Sequence, residues 1–482
     1  MERPEGAAPR LLLIVHQFFP QFHSGTETLC ERCARAYVAM GWEVDIVTSV
    51  ITDRAALRPL MDSTVLDPRA RALLSAPEVP LSRYLAYDHA PGIRVHAFTH
   101  SHDPRHGQPR FRREVTDAAV EGLVAELVAR HRHAWAIMFH QLHFPLRAMR
   151  ILRRAGIPVS FVATDFFAVC PIGTQQYDNG RPCRGPGPGS MGCVRHLSDM
   201  RGWLKRLHDL TPSPIAWPWL EAYRLLGPWP RLPVHPWQNL YFLLERNRAS
   251  RRFLRACDLI LAPSARIERS LVAAGAPRRR LRRMPYGMPP PPRLARRARF
   301  SDPAVRLCFA GQITPRKGLH VLLDALDRLP AGGEWTLDVW GDFAHGGAYA
   351  RDMGRRIAAM GPHVRMRGTF ESYRVHEVLG SYDYVILPST WAENLPLVLV
   401  SALQLGLPVI ISDAEGLMDA FPDGRVHGRS FRMGDAGDLA RVLADEIARR
   451  PAYDPAAAPA FPDVESFATA LLGRSGRAGA GG

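Results

Sequence analysis

Lys317 and Glu393 are the residues whose type and setting point most directly to chemistry. Lys317 closes the segment Gly311-Gln312-Ile313-Thr314-Pro315-Arg316-Lys317-Gly318, after the apolar run Val305, Leu307, Cys308, Phe309 and before a helical pattern. A strand, a glycine-bearing loop, a lysine and a helix start suit a phosphate group. The ammonium is a compact point charge on a flexible stem, and a helix N-terminus offers free backbone N–H donors. The chain has only two lysines, Lys205 and Lys317, among 62 basic residues, so a lysine here stands against a strong bias toward arginine. A surface lysine that escaped that bias is the plain alternative, and both readings stand on this segment alone.

Glu393 lies in Pro388-Ser389-Thr390-Trp391-Ala392-Glu393-Asn394-Leu395-Pro396, which follows a predicted strand and opens a predicted helix. Pro396 suits the first helical turn. A carboxylate at the mouth of that helix can accept hydrogen bonds from sugar hydroxyls while neighbouring backbone N–H groups hold a phosphate. Capping the helix is the commoner role for such an acid.

A second constellation is Cys170, Cys183, Cys193 and His196, the last two in a Cys-x-x-His spacing. Three thiolates and an imidazole suit a tetrahedral structural zinc. The loop between them holds Asn179-Gly180 and a Gly/Pro run from Gly185 to Gly189, and has little core of its own for folding to rely on. The separations, twelve and nine residues, are looser than in common zinc fingers, and scattered reduced thiols are the alternative. Cys30 and Cys33 share one helix face and read as packed core.

The elements that must position these groups alternate. A strand at Leu11–Val15, a helix from Thr26 to Met40 ended by Gly41, and a strand at Val44–Val47 make a βαβ start, hence a parallel sheet. Further strands are expected at 135–139, 158–163 and 259–262, with helices at 118–129, 146–154 and 265–274. Residues 51–115 read as less regular. Residues 197–245 interrupt the pattern, with five of the ten tryptophans between Trp203 and Trp237. Five prolines in 285–292 and the arginine-rich 293–299 mark a stiff connector. Beyond it the pattern restarts, with strands at 305–310, 336–340, 364–367, 384–388 and 408–412. Helices are expected there at 318–328, 347–359, 374–381, 396–405 and 436–448. A short helix at 464–472 and a Gly/Ala/Arg tail follow. The expected organisation is an α/β fold of two doubly wound domains, 1–292 (with insertions 51–115 and 197–245) and 300–452, and a last helix, 463–473, returning to the first. Ligands of such sheets sit at the carboxyl ends of the strands, which places the site in the cleft between the domains.

The totals fit this picture. The chain has 482 residues, 46% of them hydrophobic, a formal charge of +16 and a pI near 10.1. Anionic partners are expected: phosphorylated substrates or an anionic membrane surface. No nucleic-acid recognition module is present, so nucleic acid is not an expected partner. No apolar run reaches the eighteen residues of a membrane span, and the Leu-Leu-Leu-Ile-Val run reads as a strand and not as a secretory signal. Seven irregularly spaced cysteines fit a reducing cytoplasm. The tryptophan-rich 197–245 reads either as an interface with lipid headgroups or as a helical hairpin packed on the first domain.

These motifs together resemble the retaining glycosyltransferases of family four, which have the GT-B fold. The resemblance rests on the Gly-x-x-x-Pro-x-Lys-Gly loop, on Pro388-Ser389, on Trp391-x-Glu393-Asn394-x-Pro396-x-Val398, and on Gly406-x-Pro408-Val409. Pro20, Gly25-Thr26-Glu27, Ala262-Pro263-Ser264 and Pro285-Tyr286-Gly287 carry it more loosely through the first half. It implies a sugar transferred from a nucleotide-sugar donor, a UDP- or GDP-sugar, to a glycan or lipid-linked acceptor with retention of configuration. It implies no cofactor for catalysis, and a cytoplasmic enzyme, peripheral at the inner face of the membrane, in bacterial surface polysaccharide assembly. By the same likeness Lys317 neutralises the diphosphate and Glu393 binds the donor sugar. Asn394 and Leu395 offer backbone N–H groups, and Gly25 and Gly311 bring loops close to the donor.

Three positions depart from the family. Ser401 stands where relatives carry a second glutamate for the ribose, Gln312 where they carry arginine, and Thr164-Asp165 where they carry His-Asp. Arg316 is the candidate to replace the charge, and His16, His140 or His143 to replace the imidazole. The departures leave two alternatives open: a GT-B-like binding or scaffold protein without catalysis, and a sugar-nucleotide epimerase.

Overall fold

The structure is a computed structural model. It describes residues 8–473 except 102–110, 178–180, 184, 188–189, 198–205, 207–209, 212, 227–235, 293–297, 331–333, 344–346, 422–426 and 455–458. Asn179-Gly180, Trp203, Lys205, Trp229, most of the basic connector and the C-terminal tail therefore lie outside the described residues.

Two Rossmann-like sheets dominate. The first has eight strands in the order β3-β4-β2-β1-β5-β6-β7-β8. These are β1 (Arg10–Ile14), β2 (Glu43–Ile51), β3 (Tyr84–Ala90), β4 (Ile93–His100), β5 (His133–Met138), β6 (Val159–Val162), β7 (Leu259–Ala262) and β8 (Leu281–Arg283). The second has six, in the order β11-β10-β9-β12-β13-β14. These are β9 (Val305–Ala310), β10 (Trp335–Trp340), β11 (Val364–Gly368), β12 (Tyr384–Leu387), β13 (Val409–Ser412) and β14 (Gly428–Phe431). The central strands are continuous apolar runs because helices cover both faces of each sheet. Leu11, Leu12, Leu13 and Ile14 are all fully buried, with Leu11 and Leu13 in one core layer and Leu12 and Ile14 in the other. The second sheet divides its strands the same way, Leu307 to one layer and Cys308 to the other.

Residues 51–100 are more regular than their composition suggests. Two short helices, Arg54–Met61 and Pro68–Leu74, precede a hairpin in which β3 runs antiparallel to β4. The Pro91-Gly92 turn makes that hairpin, with Gly92 at φ 77°. The tryptophan-rich insertion contributes two helices, Ser213–Leu226 and the 21-residue Pro236–Ala256. No helix among the described residues is long and apolar enough to cross a membrane. In the second domain, β14 and the short helix Glu415–Asp419 are elements that the sequence pattern did not announce.

The last helix, Val464–Leu471, packs on the helix Gly25–Ala39 of the first domain, and Tyr37 Oη donates to Ala468 O at 2.7 Å. Gly287 is required there. A Cβ at that position would overlap the side chain of Phe467 and crowd Asp463 O.

Candidate active site

Strand order explains why Lys317 and Glu393 meet. β9 and β12 are adjacent in the second sheet, and the Lys317 loop follows one while the Glu393 loop follows the other. Their carboxyl ends bring the two loops together. Thr390 N donates to Arg316 O at 2.9 Å and Thr390 Oγ1 to Pro315 O at 3.0 Å, which stitches them. Gly318 makes the approach possible: it sits at φ 72°, and a Cβ would overlap Pro388 O.

Lys317 Nζ lies 2.6 Å from Glu393 Oε1, and Ser389 Oγ donates to the same oxygen at 2.7 Å. Glu393 is 3% exposed while the Lys317 side chain is about a quarter exposed, so the ammonium faces the opening and the carboxylate its floor. Trp391 presents its ring to both loop cations, 6.0 Å from Lys317 Nζ and 5.7 Å from Arg316 Cζ.

These residues border a cavity of about 480 Å³ between the two sheets. It brings together Gly25, Gly311, Lys317, Glu393, Asn394, Leu395 and Ser401 of the expected site, and also Gln312 and Thr164. Two helix N-termini converge on it, Gly25–Ala39 from the first domain and Leu397–Gln404 from the second. A Cβ at Gly25 would touch Leu397 at 3.8 Å, so they approach closely. Fixed N–H dipoles from both sides therefore favour an anion in the cavity.

Asn394 does more than its backbone suggested. Its Nδ2 donates to Thr164 O at 2.8 Å, Tyr286 Oη at 2.7 Å and Ala163 O at 3.2 Å, and its Oδ1 accepts from Ser264 Oγ at 3.3 Å. The Ser264 and Tyr286 motifs of the first half thus converge on one amide of the second domain. Gly416 supports the same loop from below. A Cβ there would overlap the carbonyl oxygens of Glu393 and Asn394. Nothing in the sequence marked Gly416, because its requirement comes from contact with a loop over twenty residues away.

Other expected residues lie outside the cavity lining. Arg316 is exposed and does not line it, but its guanidinium lies 5.7 Å from the ring of Trp391, which does. His16, His140 and His143 do not line it either. His140 Nε2 instead pairs with Asp165 Oδ2 at 3.0 Å and stacks on His16 with centroids 4.1 Å apart. His143 Nδ1 bonds Ser49 Oγ at 2.9 Å. Cys193 lies within electrostatic reach of both Cys170 and Cys183, and the His196 ring meets that of Tyr177 at 5.0 Å. Among the described residues no group of three or more His, Cys, Asp or Glu stands ready to hold a metal. Gln175 N donates to Cys170 Sγ and Gly185 N to Cys183 Sγ, both at 3.4 Å, and burial pushes the Cys193 thiol up to about 12.

The cavity also contains residues that motif reading missed. Trp340 and Phe370 meet edge to face at 5.4 Å, held by Trp340 Nε1 donating to Tyr382 Oη at 2.8 Å. The signal for Trp340 was its place at the carboxyl end of a strand. Arg32 spans the domains, donating to Met288 Sδ at 3.1 Å and Ser372 O at 3.3 Å, and no sequence signal marked it.

Residues 294–454 match glycosyl transferases group 1. The chain is 30% identical over 226 residues to the sulfoquinovosyl transferase SQD2 of Arabidopsis thaliana, spanning 44% of this chain and 42% of that protein. It is 27% identical over 213 residues to the amylovoran biosynthesis glycosyltransferase AmsK of Erwinia amylovora, spanning 42% of this chain and 50% of that one. The chain thus matches half or less of the length of these relatives. In overall fold it is similar to Anabaena Alr3699/HepE solved with UDP-glucose, at 15% identity and a TM-score of 0.55 over 96% of both chains.

Proposed function

We propose, from the match of residues 294–454 to glycosyl transferases group 1, that the chain moves a sugar from a nucleotide-sugar donor to a glycan or lipid-linked acceptor, with retention of anomeric configuration. The observation that carries the reading is the Lys317–Glu393 pair in a cavity shared by both domains. Breaking the glycosidic bond leaves positive charge on the sugar and negative charge on the departing diphosphate. A fixed cation and two helix N-termini stabilise the diphosphate. Glu393, held by Ser389 at the floor, accepts hydrogen bonds from sugar hydroxyls and turns the donor toward the acceptor side. When the donor enters, its diphosphate competes with Glu393 for Lys317, so the pair separates into its two roles.

Trp340 and Phe370 offer flat apolar surface to the nucleotide base. UDP-sugars are the favoured donors, since HepE is solved with UDP-glucose in the same fold. Assembly of bacterial surface polysaccharide is the proposed setting, supported by the likeness to a protein of amylovoran biosynthesis. The acceptor side lies on the first domain, with the enzyme peripheral at an anionic membrane surface.

A thermal-shift screen against UDP, GDP, ADP and their common sugars tests the donor site. One nucleotide family should raise the melting temperature, and Lys317→Ala should abolish that rise and reduce transfer by about 100-fold or more. A flat response from the folded wild type, with no transfer to any acceptor, would replace this reading with that of a non-catalytic scaffold. Release of an altered sugar nucleotide without acceptor would indicate an epimerase.

A further inference from the structure

A second cavity, about 710 Å³, opens on the first domain outside the active-site cleft. It lies between the end of helix Pro236–Ala256, helix Ala265–Ala273 and the glycine-rich segment around Gly185 and Gly187. Four guanidinium groups line it: Arg251, Arg255, Arg266 and Arg269. No acidic side chain is in the lining. Glu415, from the second domain, lies 3.3 Å from Arg266 Nη1 and is also paired with Arg269. Arg251 Nη2 donates only to a backbone carbonyl, Gly187 O, at 3.1 Å. Among the described residues neither Arg251 nor Arg255 has a carboxylate partner. Arg266 Nε is buried and has no hydrogen-bond partner. Among the described residues the one carboxylate that ion-pairs with these four guanidinium groups is the half-exposed Glu415.

We propose that this pocket is a binding site for a phosphate-bearing group, separate from the donor cleft. Guanidinium forks match phosphate oxygens two at a time, and half-buried Arg251 and exposed Arg255, which have no carboxylate partner among the described residues, gain charge-assisted contacts from an incoming anion. The volume exceeds what a single phosphate fills, so the group arrives on a larger molecule or as a diphosphate. Glu415 is the occupant the ligand displaces. It is the residue next to Gly416, so the short helix Glu415–Asp419 touches both this pocket and the floor of the Glu393 loop. Asp419 Oδ2 anchors that helix from its other end by accepting from Arg266 N at 3.0 Å.

The test uses the full chain carrying Lys317→Ala, which removes the lysine of the donor cleft, and titrates it with inorganic pyrophosphate in a calorimeter. Binding should persist. Adding Arg251→Ala and Arg255→Ala should weaken it at least about ten-fold, the loss of one charge-assisted contact or more. Adding Glu415→Gln instead should tighten it about five-fold, because two arginines are released from a competing charge. A role in packing alone predicts no gain from Glu415→Gln, and that gain decides the matter if the double arginine variant fails to fold. Sedimentation with phosphatidylglycerol and phosphatidylcholine vesicles distinguishes the sources. Capture by the anionic vesicles alone, lost with the arginines, identifies a lipid headgroup. Pyrophosphate binding without capture identifies a soluble phosphorylated ligand. Pyrophosphate affinity that ignores Arg251, Arg255 and Glu415, with no vesicle capture, overturns the proposal.

Discussion

The side-chain amide of Asn394 donates to the hydroxyl of Tyr286 at 2.7 Å, and so ties the donor loop of the second domain to the start of the connector. The same nitrogen reaches Thr164 O, at the end of β6. One residue thereby joins both halves of the cleft at the loop that carries Glu393. Asn394→Ala should leave Thr164 O without the amide donor and Ser264 Oγ without its acceptor in a buried place, while Tyr286 Oη keeps its contact with Ala163 O; this costs about 1–3 kcal/mol. Because the loop it holds carries Glu393, transfer should fall more than stability implies. Tyr286→Phe, which removes the hydroxyl's contacts with Asn394 Nδ2 and Ala163 O but leaves the amide on Thr164 O, should be milder in both. Steady-state kinetics beside urea unfolding would show it. Full activity in Asn394→Ala would mean that the contact only fills space.

Gly416 predicts a steric defect at a distance. A Cβ would overlap two backbone carbonyl oxygens, Glu393 O and Asn394 O, and neither is the flexible end of a side chain. Gly416→Ala should displace the loop, with a loss of about 1–3 kcal/mol in stability. A shift of the order of an ångström at Glu393 should cost about 100-fold in rate. Gly122→Ala, where a Cβ meets nothing within 4 Å, is the control and should be neutral or slightly stabilising. Equal behaviour of the two variants would exclude the packing argument.

Lys317 and Glu393 were legible because each sits in a loop after an apolar strand and before a helical pattern, and because lysine is rare in this chain. Parallel strands, buried on both faces, betray themselves as unbroken apolar runs. What remained hidden depends on contacts between distant segments. Gly416 and Arg32 carry no local pattern, and the role of the Asn394 side chain needs Thr164 and Tyr286 brought next to it. The β3–β4 hairpin was obscured because its strands mix histidine, arginine and aspartate with apolar residues. The cysteine spacing suggested a zinc site, and the fold does bring Cys193 near Cys170 and Cys183, which spacing along a glycine-rich loop alone could not establish.

Asp45 should give the fold a dependence on acid. Its carboxylate is buried near the amino end of β2, away from the cleft. Burial alone would raise its pKa, but it accepts from His133 Nε2 at 2.9 Å and His96 Nε2 at 3.0 Å and faces Arg10. These contacts outweigh burial and hold the group below its ordinary 3.8. The unfolded chain titrates at the ordinary value. Stability from the charged form is therefore present above that pH and is lost as pH falls through it toward the lower folded value. Asp45→Asn should lower stability at pH 7 and flatten its decline below about pH 4, as followed by circular dichroism in urea. An unchanged acid limb would assign the decline to other carboxylates.

Ser401 is the sharpest point of contact between the site and its ligand. Its side chain lies in the cavity lining, fully buried, and its Oγ has no hydrogen-bond partner. An unpaired buried hydroxyl is a cost to the empty protein, so removing it should be neutral or stabilising. If a donor hydroxyl or phosphate oxygen supplies the missing partner, the same removal should weaken donor binding by about three- to ten-fold. Ser401→Ala should therefore melt no lower than the wild type while its KM for the donor rises and kcat changes little. A serine that only packs would show no change in KM. Ser401→Glu extends the argument, because it adds a carboxylate beside the floor that already holds Glu393. Lys317 is already paired with Glu393, so a second, longer acid buried there should destabilise the empty protein. Any gain it gives in donor affinity would have to come from the ribose hydroxyls. Loss of stability together with loss of affinity would mean that this cavity is shaped for the short hydroxyl and not for the carboxylate its relatives carry.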